Sequence, residues 1–152
     1  MSKKETLQQE LSRRKYRQPN TFFYWFYKTI MVDFQISKFN PKLTMIDDIK
    51  KEKDGAFLLW NHLSRLDHAY IVKALYPKKF NMVAGYCEFF RSHLAWVFKR
   101  ANHPEEELLL GSGRVKAILS LIKQKGVVTM APEGLASITG INERVVGGIG
   151  LS

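Results

Sequence analysis

Gly55-Ala56-Phe57-Leu58-Leu59-Trp60-Asn61-His62-Leu63-Ser64-Arg65-Leu66-Asp67-His68 is the stretch on which the reading of this chain turns. Its first half, Ala56 to Trp60, is an uninterrupted apolar run of strand length, the pattern of a strand covered on both faces. Its second half turns polar. Ser64 can cap a helix, and Asp67 at the third helical position completes a capping-box-like pair. The helix so predicted runs from Ser64 to Leu75, where Tyr76-Pro77 stops it.

Downstream the alternation continues. Phe80–Tyr86 reads as a second strand, and Phe89–Lys99 as a helix with Phe90, Leu94, Val97 and Phe98 inward. Ala101–Pro104 is a turn. Ser112 can cap a helix from Gly113 through Lys125, whose apolar positions Val115, Ile118, Leu119 and Ile122 recur at helical spacing, and Gly126 closes it. Val127–Ala131 is the third strand. Strands separated by helices of this length pair in parallel through crossovers, so the expected class is α/β, a mostly parallel sheet flanked by helices.

Upstream, residues 3–17 have helix-forming composition with a sparse stripe of Leu7, Leu11 and Tyr16, ended by Pro19-Asn20. Residues 21–34 form a second helix with aromatics nearly all round its first turns, which must be buried or must touch lipid. Asn40-Pro41 is a turn and Leu43–Ile46 a weak strand. The chain therefore divides into a basic, aromatic helical segment over 1–40 and an α/β domain over 41–152. Val145–Ser152 begins a further element and stops, so a domain incomplete at its carboxyl end is expected.

At 152 residues, 45% hydrophobic and 25% charged, the chain excludes a disordered or fibrous protein and has room for one cored domain. Lys and Arg number 24 against 14 Asp and Glu, a formal +10 that points to an anionic partner. The excess sits in the first two thirds, since residues 101–152 carry five charges of each sign. The single cysteine, Cys87, excludes an intramolecular disulfide and has no Cys or His neighbours at zinc-ligand spacing, so a reducing compartment is expected. Residues 1–20 are too polar for a secretory signal. The longest apolar run, Phe22–Tyr27, is broken by Lys28 and falls far short of the roughly 20 residues a spanning helix needs.

In parallel α/β sheets, ligands collect beyond the carboxyl ends of the strands, where the turn 61–68 lies. His62 just before the helix and Asp67 in its first turn allow the imidazole to fold back onto the carboxylate. Such a partner fixes the tautomer of a histidine and stabilises its charged form, so the ring can take a proton from a hydroxyl. The alternative is that Asp67 only caps the helix. The third strand leads into a comparable turn, Ala131–Ser137, where Glu133 can orient a polar head group and Gly134 lets backbone amides approach it. Alone, this too reads as an ordinary turn; the two turns together carry more.

Asn61-His62-x-x-x-x-Asp67 resembles the His-x-x-x-x-Asp signature of the glycerolipid acyltransferases, the group that includes 1-acylglycerol-3-phosphate and lysophospholipid acyltransferases. Pro132-Glu133-Gly134 is similar to their second block, Pro-Glu-Gly-Thr-Arg, and Val83–Arg91 to the segment between the two. The resemblance covers roughly residues 50–150. It implies transfer of a fatty acyl group from acyl-CoA or acyl carrier protein to a lysophospholipid or related hydroxyl, with His62 as base and Asp67 orienting it. It places Asn61, Ser64, Arg91, Glu133, Gly134 and Ser137 around the substrates, and it implies no metal and no resident cofactor. Leu135-Ala136 stands where the family pattern has Thr-Arg, so a bidentate phosphate clamp is missing there and the acceptor can differ. Arg91 and Arg100 are the choices for the basic residue of the middle block.

Lys3, Lys4, Arg13, Arg14, Lys15 and Arg17 precede the aromatic run 22–27, a pairing suited to anionic headgroups and the interface below them. The expected partners are membrane lipids, the acceptor and the acyl donor, and the expected location is the cytoplasmic face of a membrane, peripherally bound. The rivals are a catalytically inactive, truncated membrane-binding remnant and a basic nucleic-acid-binding module. The latter draws on pI ≈ 9.8 but leaves both turns unexplained.

Overall fold

Strand β3 (Val127–Met130) is buried along its whole length and lies between β1 (Ala56–Leu59) and β2 (Phe80–Met82). Both pairings are parallel, so the sheet has the order β1-β3-β2, with Ala56 and Phe80 each opposite Val127. This is a small α/β architecture, as the alternation of strands and helices requires. The structure is a computed structural model and describes residues 3–42, 44, 49–64, 66–85, 88–89, 95–104 and 113–132.

Among the described residues the helices include α1 (Lys3–Arg13), α2 (Thr21–Phe26), α3 (Asp33–Ile36), α4 (Asp67–Leu75), α5 (Ala95–Arg100) and α6 (Gly113–Lys123). A π-helical stretch, Tyr27–Val32, joins α2 to α3. Asn20 starts this long helical run, its side-chain oxygen accepting from the amides of Phe22 and Phe23. Lys28, which interrupts the aromatic run in sequence, lies 2.8 Å from Asp33 and 4.9 Å from the centre of the Tyr76 ring. Residues of the amino-terminal segment, among them Leu7, Leu11, Tyr24, Tyr27, Val32 and Ile36, share one core with β2, β3 and α4.

Several expectations need correction. Burial on both faces belongs to β3, whereas Leu59 of the edge strand β1 is exposed. The first helix ends at Arg13 rather than Arg17, because the backbone beyond it bonds elsewhere. Gln124 donates to the Tyr16 carbonyl and Asn81 to the Arg17 carbonyl. β2 stops at Met82, after which the Ala84 amide turns to the Pro104 carbonyl. On α6 the buried positions are Ala117, Ile118 and Leu121, and Leu119 is exposed. At the end of α6, Lys125 rather than Gly126 takes the left-handed conformation, at φ 59°. Its amide bonds the Ile122 carbonyl and that of Gly126 the Leu121 carbonyl, a Schellman closure. Gly126 matters by size, since a Cβ there would meet the Gln18 side chain and the Leu121 carbonyl. Most of the weak strand 43–46, with Ser112 and the end 145–152, lies outside the described residues.

Candidate functional site

β1 and β3 finish abreast, with Leu59 opposite Met130 and the Trp60 amide donating to the Met130 carbonyl at 3.1 Å. The chain therefore leaves the carboxyl edge of the sheet at Trp60-Asn61 and at Ala131-Pro132 side by side, the crevice position of open parallel sheets.

The carboxylate of Asp67 organises the first of these turns. One oxygen, Oδ2, accepts from the Leu63 amide at 2.6 Å, the Ser64 amide at 2.7 Å and His62 Nδ1 at 3.0 Å. The other, Oδ1, accepts from Ser64 Oγ at 3.0 Å. Ser64 Oγ in turn accepts from the Leu66 amide. This is a displaced version of the expected capping box: the helix starts at Asp67 and not at Ser64, with the carboxylate in its first turn, where the helix dipole favours a negative charge. Burial opposes that charge, but the hydrogen bonds from His62, Ser64 and Leu63 outweigh it and hold the carboxyl below its ordinary value of 3.8.

An ionised carboxylate can only accept, so Nδ1 of His62 is the donor and the neutral ring carries its lone pair on Nε2. The ring is further set by Trp60, whose indole meets it edge-on at 5.0 Å between centroids. The His62 side chain is 25% exposed and that of Asp67 15%, so the histidine is within reach of solvent while its partner is shielded. Such an arrangement can accept a proton from a hydroxyl and stabilise the resulting imidazolium.

The structure thus joins His62, Ser64 and Asp67 in one network, with Asn61 on the same turn. Arg91, Glu133, Gly134 and Ser137 lie outside the described residues, as does Cys87. Arg100 lines a groove at the amino edge of the sheet with Lys79, which directly precedes β2, so it is not brought to His62. That groove, of about 1130 Å³, and a neighbouring one of about 1170 Å³ are lined by neither His62 nor Asp67. Among the described residues, no group of three His, Cys, Asp or Glu could hold a metal ion. None of their helices is long and apolar enough to cross a membrane.

Two polar residues escaped the sequence reading. Asn81, fully buried, receives Gln18 Nε2 at 2.8 Å and donates to the carbonyls of Arg17, Ala101 and Asn102. His103, also buried, accepts the Met82 amide at Nδ1 at 3.0 Å. Burial, reinforced by His68, lowers its pKa to about 3, which keeps the ring neutral as an acceptor must be. A polar residue inside an otherwise apolar strand, Asn81 between Phe80 and Met82, was the available signal.

Compared with known proteins, the chain matches no family model, no curated protein and no solved structure.

Proposed function

We propose that this protein is an acyltransferase working at a membrane surface, moving a fatty acyl group from acyl-CoA or acyl carrier protein to a lysophospholipid or similar hydroxyl. The observation that carries the reading is the 3.0 Å contact between His62 Nδ1 and Asp67, held beyond the carboxyl end of a parallel strand. Glycerolipid acyltransferases resemble this chain in that spacing, and the adjacent exit of β3 leads into Pro132-Glu133-Gly134.

In this reaction the acceptor hydroxyl gives its proton to His62 Nε2 as its oxygen attacks the thioester carbonyl. Asp67 steadies the imidazolium. Collapse of the tetrahedral adduct breaks the carbon–sulfur bond, and the departing thiolate takes the proton back from His62, leaving an ester and a free thiol. General-base help of this kind contributes about 10²–10⁴ in rate. Glu133, Gly134 and Ser137 are assigned to the acceptor side, and Arg91 to the substrate's charge. Peripheral attachment at a cytoplasmic membrane face fits the basic and aromatic character of residues 1–40.

The test is direct. Purified protein is incubated with radiolabelled acyl-CoA, or acyl carrier protein, and a panel of lysophospholipids, and labelled product is resolved by chromatography. Product formed by the native chain and lost in His62→Ala supports the reading. No product with any pair, or equal product from both proteins, refutes it.

A further inference from the structure

Away from His62, the amino edge of the sheet carries a groove of about 1130 Å³ whose walls come from distant parts of the chain. One wall is the connector and first turns of the helix that follows it, with Arg14, Arg17 and Phe22. The other is α5 and its exit, with Trp96, Lys99 and Arg100, and Lys79 completes the ring of cations. The walls are clamped from beneath by Asn81, whose amide nitrogen bonds the Arg17 carbonyl on one side and the Ala101 and Asn102 carbonyls on the other.

The charges are unevenly compensated. Glu10 pairs with Arg14 at 2.7 Å and lies 3.5 Å from Lys99. Arg17, Lys79 and Arg100 have no carboxylate partner among the described residues; Lys79 only donates to Thr21 Oγ1. Beside these cations stand large apolar side chains that folding has left in water. Phe22 is 72% exposed and Trp96 52%, and Trp25, packed against Phe22 at 5.9 Å, is 46% exposed. An apolar group this dense beside uncompensated cations needs a partner that is both greasy and anionic.

We propose that this groove docks the chain on an anionic bilayer, with Arg17, Lys79 and Arg100 taking lipid phosphates and Phe22, Trp25 and Trp96 entering the interface. A bilayer is the occupant that matches both features, because it presents phosphate and hydrocarbon a few ångströms apart along one plane. This rests on the membrane part of the proposed function and not on the acyl-transfer chemistry. It goes beyond the amino-terminal charges by assigning Lys79, Trp96 and Arg100 to the same surface. The groove is lined by neither His62 nor Asp67, so it is proposed for attachment and not as the acceptor pocket.

The test is flotation of the full chain with phosphatidylcholine vesicles with and without phosphatidylglycerol, for the native protein, the triple variant R17Q/K79Q/R100Q and the charge-keeping variant R17K/K79R/R100K. Three cations near a charged leaflet account for about a hundredfold in partition. The expected result is salt-sensitive binding to the anionic vesicles alone, about a hundredfold weaker in the Gln variant and retained in the charge-keeping one. Far-UV circular dichroism checks that each variant is folded; the side chains of Arg17 and Arg100 donate to no described group and that of Lys79 only to the exposed Thr21 Oγ1, so no fold change is expected. Native protein that ignores anionic vesicles overturns both the groove and the membrane reading. Native binding that the Gln variant retains in full overturns the groove alone. Displacement from vesicles by millimolar inorganic phosphate, or tighter binding to an oligonucleotide than to vesicles, overturns the bilayer as occupant.

Discussion

Replacing Asp67 by Asn and His62 by Ala separates the two jobs the carboxylate performs. Asp67 takes four hydrogen bonds, two from backbone amides, one from Ser64 Oγ and one from His62. Bonds to a charged group are worth about 1.5–3 kcal/mol each when shielded, but Leu63 is exposed and water can serve its amide. An asparagine oxygen in the place of Oδ2 keeps three of the four donors, but as neutral bonds, and leaves the NH₂ facing Ser64 Oγ, whose hydroxyl must turn to accept. Loss of charge assistance costs about 1 kcal/mol for each shielded bond, so about 2–3 kcal/mol in all, a fall in Tm of about 5–10 °C. His62→Ala loses one of those bonds, about 1–1.5 kcal/mol at a quarter-exposed ring whose edge contact with Trp60 adds little, so its Tm falls by about 2–6 °C. Urea titration with linear extrapolation, alongside scanning calorimetry, measures both. If Asp67→Asn costs no more than His62→Ala, the carboxylate does not organise the turn and the geometry argued above is wrong.

His103 must stay neutral to accept the Met82 amide, and its pKa falls from 6.5 to about 3 on folding. The unfolded chain therefore binds the extra proton between those values, so stability declines as pH drops from about 6.5 toward 3, and His103→Gln removes that slope in urea titrations across the range. For Asp67 the stabilisation is complete above its ordinary value of 3.8 and is lost as pH falls through its lower folded value, so Asp67→Asn flattens the acid limb below about pH 4. Asn81→Ala strips buried partners from Gln18 and three carbonyls, and a loss of about 3–5 kcal/mol by urea titration is expected. Gly126→Ala places a methyl 2.8 Å from the Leu121 carbonyl and against Gln18, and a loss of about 1–3 kcal/mol in the same titration checks it.

The alternation of strands and helices, and the parallel pairing, were legible because both follow from apolar periodicity and the length of the connections. The fold-back of His62 onto Asp67 was legible for a related reason: a capping carboxylate three residues beyond Ser64 is a local device, readable in a short window. What periodicity cannot show is which strand is central. β1 carries as apolar a run as β3, yet Leu59 is exposed, because edge position depends on strand order. The early end of α1 had the same cause. Arg14 to Arg17 are compatible with a helix locally, but Asn81 and Gln124, far away in sequence, take the Arg17 and Tyr16 carbonyls out of it. Lys125 was missed because glycine is the usual left-handed closer, and here the glycine was needed one residue later for space.

The central claim is that His62, steadied by Asp67, takes the proton of an acceptor hydroxyl. The measurement closest to it is the acyl-transfer turnover of native chain, His62→Gln and Asp67→Asn with the acceptor that gives most product, each variant confirmed folded by circular dichroism. Turnover lower by about 10²–10⁴ in His62→Gln, with a substantial loss in Asp67→Asn, is the expected result. Turnover in a folded His62→Gln equal to that of the native chain would contradict it.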